Sequence, residues 1–174
     1  MYFHNLTLLI LGVILSNYAV ALSNDHEQPI QIEADKATID NIKGIAIYEG
    51  NVIVTQGSIR INAETVTLNY TPKQDIEKVI AVGKPVRFKQ RLDSGDDIQA
   101  RSREMEYNAV KNMLHLRKKA ILLRQRNKKD LYTVNAPRIT YDIQRATTQT
   151  DKGNTGSGRT TITIQPQSKS SSKK

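Results

Sequence analysis

The chain has 174 residues, 38% hydrophobic and 25% charged, an ordinary globular mixture long enough for one domain with a sizeable core. It has no cysteine and no tryptophan, which excludes a disulfide framework, a thiolate-held metal and a thiol nucleophile. The net charge of +9 is uneven: residues 1–100 carry 9 Lys and Arg against 12 Asp and Glu, and residues 101–174 carry 17 against 5, an excess that favours an anionic partner.

The first element is an apolar run, "LTLLILGVIL" from Leu6 to Leu15, followed by "SNYAVALS", in which Ala19 and Ala21 frame an A-x-A cleavage pattern. A membrane span needs about 20 apolar residues. Residues 1–21 are therefore expected to be a cleaved export signal, with an uncleaved anchor as the alternative.

Beyond it one eleven-residue phrase recurs: "IQIEADKATID" (30–40), "IRINAETVTLN" (59–69), "IQARSREMEYN" (98–108) and "YTVNAPRITYD" (132–142). Positions one, three, five, eight and ten are apolar or small, and the last is Asp or Asn, which suits a turn. Period-two alternation rich in Ile, Val, Thr and Tyr means strand. The phase slips inside each phrase, at Asp35-Lys36, Glu64-Thr65, Arg103-Glu104 and Pro137-Arg138. A flat strand would turn half of the apolar residues to water, so each phrase is read as two short strands joined by a corner around one interior. This places Ile30, Ile32, Ile59, Ile61, Val66, Leu68, Met105, Tyr107, Ile139 and Tyr141 inside.

Second elements lie between the phrases: "AIYEGNVIVTQG", "VIAVGKPVRFKQ", "MLHLRKKAILLRQ" and "TDKGNTGSGRTTITIQP". Gly50, Gly83 and Gly153 recur at one place in them and imply a bend, while Lys118 stands there in the third. "NVIVT" and "AILLR" allow either face to point inward. The expected fold is all-β, an elongated antiparallel jellyroll or solenoid-like stack in which each unit touches its neighbours. Its first and last strands, Gln28 to Asp35 and "RTTITIQ" from Arg159 to Gln165, are open edges; residues 166–174 form a Ser/Lys-rich tail with too little apolar surface to order.

No catalytic set is visible. Histidine occurs only at His4, His26 and His115. "DSGDD", with Asp93, Asp96 and Asp97, lacks the spacing of a calcium loop and reads as a solvated hairpin turn; "GNTGSG" lacks the Lys-Ser/Thr of a phosphate loop. Aromatic residues are 5% of the chain and none interleaves with the basic run "RKKAILLRQRNKK", so nucleic acid is not an expected partner.

The runs "QPIQIEAD", "EGNVIVTQGSIRINAE", "GKPVRFKQ" and "TDKG" resemble the LptA (OstA-like) family of periplasmic lipopolysaccharide transport proteins, over about residues 28–165. The resemblance implies a V-shaped β-jellyroll without enzymatic activity or cofactor. It implies head-to-tail self-association between an inner-membrane LptC-like subunit at the N-terminal edge and an outer-membrane LptD-like translocon at the C-terminal edge. It also implies a groove for lipid A, with Ile30, Ile32, Phe88, Met105 and Tyr107 on its wall. Val52, Val54, Val86, Leu114 and Leu116 from the intervening strands complete the expected groove, and Arg117, Lys118, Lys119, Arg124 and Arg126 are its expected phosphate rim. Exchange of Phe88 or Ile32 for Asp is expected to abolish lipid retention with strand content intact. The rival readings are a membrane-anchored LptC-like subunit of the same relay and a generic secreted β-repeat scaffold.

Overall fold

The computed structural model describes residues 25–153 and 158–166. The expected signal, residues 1–21, and the tail from residue 167 lie outside them. A three-residue 3-10 turn, Asp25–Glu27, precedes strands β1 (Ile30–Glu33), β2 (Lys36–Asp40), β3 (Ile45–Gln56), β4 (Ile59–Tyr70), β5 (Ile76–Arg91), β6 (Asp97–Asn108), β7 (Met113–Arg126), β8 (Lys129–Asp142), β9 (Thr147–Asp151) and β10 (Thr161–Ile164). All pair antiparallel in one sheet of order β1-β3-β4-β5-β6-β7-β8-β10, with β2 beside β1 on β3 and β9 beside β10 on β8. The all-β stack expected from the repeats is what forms: a meander in which β3 to β8 pair in sequence order, with β1 and β2 sharing β3 at one margin and β9 and β10 sharing β8 at the other.

Every phrase is interrupted where its pattern slips. Register shifts fall between Glu49 and Val52, Asn62 and Thr65, Val82 and Val86, Arg101 and Glu104, and Arg117 and Ala120. These bulges stack side by side, and the sheet folds along them into two wings. The first wing holds β1, residues 52–56, 59–62, 86–91, 97–101, 120–126, 129–136 and β10; the second holds β2, residues 45–49, 65–70, 76–82, 104–108, 113–117, 138–142 and β9. The nine residue steps from Tyr132 to Tyr141 would span about 30 Å if straight. Instead buried side chains of the first wing (Val86, Leu122, Val134) and of the second (Val66, Leu116, Tyr141) form one hydrophobic cluster, so the wings face one another.

The corner chemistry is local. Pro85 and Pro137 sit in the unpaired stretch of their strands, where no ladder bond needs their missing N–H. Gly50 has φ +79°, and a Cβ there would overlap the Asp35 carboxylate, which also accepts from Asn51 Nδ2 at 2.9 Å. In the third intervening strand the same bend is made without glycine: Lys118 and Lys119 both adopt left-handed backbone, φ +62° and +64°. Such conformations cost a non-glycine residue about 1–2 kcal/mol each.

Candidate functional site

The concave side shared by the two wings is apolar. Of the expected groove residues, Val52, Val54, Ile59, Ile61, Val66, Leu68, Val86, Phe88, Met105, Leu114, Leu116, Ile139 and Tyr141 are buried there, and Ile30, Ile32 and Tyr107 are half-buried against them. Strand β4 changes side-chain parity at the corner in the manner the phrase predicts: Ile59 and Ile61 point inward before the bulge, Val66 and Leu68 after it. In "AILLR" the bulge at Lys118-Lys119 settles the parity, because Ala120 and Leu122 are buried whereas Ile121 and Leu123 are only half-buried. Ile98, Leu122 and Val134 complete the interior and were absent from the expected groove.

The middle of this interior is closed, with Val66, Val86, Ile98, Leu114, Leu116, Leu122 and Ile139 at zero exposure. The expectation that Phe88→Asp would leave the strands intact therefore changes. Phe88 is 3% exposed among these side chains, and an unpaired carboxylate there would break the packing. Ile32 is half-buried on an edge strand, where the same change is expected to leave the strands intact.

At both margins of the sheet the apolar side continues without cover. Ile162 and Ile164 on β10 pair with Val134 and Tyr132 and so face the interior, yet are 57% and 75% exposed. At the other margin Ile39 on β2 stands opposite buried Ala46 and is 57% exposed. β1 with β2 and β9 with β10 each leave one side of their backbone unpaired among the described residues.

Polar groups gather at the tips of the wings. Asp25 accepts from Ser58 N (2.6 Å), Ser58 Oγ (2.8 Å) and Gln90 Nε2 (3.1 Å), tying the N-terminal turn to the β3–β4 hairpin. Gln90 Oε1 and the Tyr141 hydroxyl are buried without a hydrogen-bond partner among the described residues. Burial pushes the Tyr141 phenol well above its ordinary value and keeps it neutral. Burial likewise lowers His115, whose Nδ1 lies 3.1 Å from Thr140 Oγ1. Among the described residues no three His, Asp or Glu side chains are placed to hold a metal ion, and no helix is long and apolar enough to cross a membrane.

The expected phosphate rim does not form as one cluster. Asp96, read from sequence as part of a solvated turn, is fully buried and is bound by Arg124 Nη2 at 2.7 Å and Arg126 Nε at 2.7 Å. The Arg126 hydrogen bond, opposed by burial and reinforced by Arg124, lowers the Asp96 carboxyl to about 2. Arg117 is bound to Glu106 at 3.1 Å and Lys118 to Glu104. Lys119 is exposed at the corner. Four of the five cations thus answer to carboxylates of the chain itself, and Arg117, Lys118 and Lys119 sit at the fold line while Arg124 and Arg126 sit at a wing tip.

The family described as LptA/(LptD N-terminal domain) LPS transport protein matches residues 31–147. The chain belongs to this family. It is similar to the lipopolysaccharide export system protein LptH of Pseudomonas aeruginosa, 37% identical over 131 residues covering 75% of this chain and 72% of that protein. It is also similar to the lipopolysaccharide export system protein LptA of Haemophilus influenzae, 33% identical over 157 residues, 89% and 88% of the two chains. The crystal structure of LptH, described as the LptA homologous periplasmic component of the lipopolysaccharide transport device of P. aeruginosa, superposes with a TM-score of 0.73 at 32% identity, over 82% of this chain and 99% of that one. The matched segment runs through the four corners and both wings, so the family relation covers the folded interior itself.

Proposed function

We propose that this LptA-family protein is a non-enzymatic periplasmic carrier of lipopolysaccharide, which holds the acyl chains of lipid A between its two wings. Residues 1–21 would be removed on export, residues 28–165 would form the carrier, and residues 166–174 a solvated tail. The relatives named as lipopolysaccharide export proteins support this reading. The observation that carries it is the apolar interior running out uncovered at both margins, at Ile39 and at Ile162 and Ile164.

The closed middle defines what loading requires. Acyl chains would enter as the wings part about the line of bulges, and their methylenes would replace the contacts that Leu116, Leu122 and Val86 now make across the interior. Each methylene buried contributes about 0.8 kcal/mol, so a few chains offset the separation of the wings. The groove residues named above would bind by area, and Gln90 and Tyr141 at the tips would supply hydrogen bonds to the polar part of the lipid.

The open edges support bridging. β1 with β2 would accept an LptC-like inner-membrane subunit and β9 with β10 an LptD-like outer-membrane translocon, with further copies of this chain adding edge to edge between them. Such pairing would place Ile162 and Ile164 on β10 of one copy beside Ile30 and Ile32 on β1 of the next, joining their interiors. The test is Ile32→Asp: lipid extracted from the purified protein and identified by mass spectrometry should fall to background while circular dichroism keeps the strand signal. Undiminished lipid A in the variant would refute the interior as the carrier site.

A further inference from the structure

The outer surface of the first wing, on the side of the sheet away from the interior, holds a cleft of about 500 Å³. Two neighbouring cross-strand rows build it. In one, Arg60 on β4 stands directly opposite Lys89 on β5; in the other, Arg87 on β5 stands directly opposite Arg101 on β6. Like charges opposite one another destabilise a sheet. All four side chains are exposed, and none is in an ion pair among the described residues. This sets them apart from Arg91, Arg117, Lys118, Arg124 and Arg126, each of which is paired with a carboxylate, Arg124 and Arg126 sharing Asp96.

The spacing is that of an anion seat. Facing side chains of adjacent strands start about 5 Å apart. Arg87 and Lys89, two positions apart on one strand, are separated by about 7 Å. On the next strand the same rows carry Ile121 and Leu123, half-buried, which floor the cleft with hydrocarbon. The cleft's one acid, Asp130, accepts from Gln125 Nε2 at 2.7 Å.

We propose that this cleft is a second binding site, for a ligand that carries phosphoryl groups beside an apolar segment. Arg87 with Arg101 and Arg60 with Lys89 each seat one phosphoryl group, and Ile121 and Leu123 receive the apolar part. Guanidinium forks match phosphate oxygens, and the ligand's charge relieves the repulsion within each pair. The site lies on the opposite side of the sheet from the proposed carrier interior and does not depend on it.

The experiment is calorimetric titration of the purified protein with inorganic pyrophosphate, with monomeric dihexanoyl phosphatidic acid, and with zwitterionic dihexanoyl phosphatidylcholine. The phosphomonoester and the pyrophosphate should bind, the phosphatidylcholine should not, and binding should weaken as salt rises. Phosphatidic acid should bind more tightly than pyrophosphate, because Ile121 and Leu123 receive its apolar part; equal binding would overturn the apolar half of the site and leave a seat for soluble phosphate. The double variant Arg87→Gln/Arg101→Gln should lose about tenfold or more in affinity with no loss of melting temperature. Arg60→Gln/Lys89→Gln should do the same, and Ile32→Asp should leave this binding unchanged. Absence of binding by both phosphoryl probes, or unchanged affinity in both double variants, would overturn the site.

Discussion

Asp96 offers the sharpest test of how the wing tips are held. Its carboxylate has no exposed surface and takes hydrogen bonds from Arg124 Nε (2.8 Å), Arg126 Nε (2.7 Å) and Arg126 Nη2 (3.1 Å), joining the β5–β6 turn to the end of β7. Asp96→Asn keeps the shape and removes the charge. The folded carboxyl lies at about 2 against an ordinary value of 3.8, so the unfolded state binds the proton more tightly. Stability from this group is therefore fully present above about pH 5, falls as the pH drops through 4, and is mostly gone by about pH 2, a change of about 2 kcal/mol. Arg124 and Arg126 keep 25% and 55% of their side-chain surface in water, so their stranding in the variant costs less than the loss of a fully buried pair. Urea unfolding should give a deficit of about 2–3 kcal/mol at pH 7 that shrinks below about 1 kcal/mol at pH 2. A deficit that is the same at both pH values, or absent at neutral pH, would refute this account of the turn and return Arg124 and Arg126 to the pool of free rim cations.

Two corner substitutions should act with opposite signs. Gly50→Ala should destabilise by about 1–3 kcal/mol, because φ +79° and the Asp35 carboxylate both oppose a Cβ. Lys119→Gly, where the backbone is already left-handed and the side chain is exposed, should raise stability by about 0.5–1 kcal/mol, or 2–4 °C in Tm by scanning calorimetry. The acidic first half and basic second half of the chain predict that edge-to-edge self-association, followed by light scattering, weakens as salt rises; association indifferent to salt would argue against charge steering.

The corners were legible because a phase slip is a one-residue event that period-two alternation records directly: Ile59, Ile61, Val66 and Leu68 cannot share a face unless the strand bends near Glu64. The intervening strands were not, because "AILLR" and "NVIVT" are apolar on both sides. In β7 the choice is made by the left-handed pair Lys118-Lys119, which no apolar pattern encodes. The second apolar side proved informative in another way, since Ile121 and Leu123 floor the outer cleft. Asp96 was misread because its partners lie 28 and 30 residues further on, and a cluster of acids in a short turn looks solvated until the pairing of β6 with β7 brings arginines alongside. The unpaired cations Arg60, Lys89, Arg87 and Arg101 were invisible for the same reason: only the register shows that they stand opposite one another.

In the proposed carrier the acyl chains lie between the wings. Site-specific photo-crosslinking in cells tests this most directly, with the photoreactive residue at Ile32 or Tyr107 on the inner side and at Thr67 on the outer side of the second wing. Adducts with lipopolysaccharide at Ile32 and Tyr107 and none at Thr67 are the predicted result. Adducts at Thr67 with none at the two inward positions would contradict it.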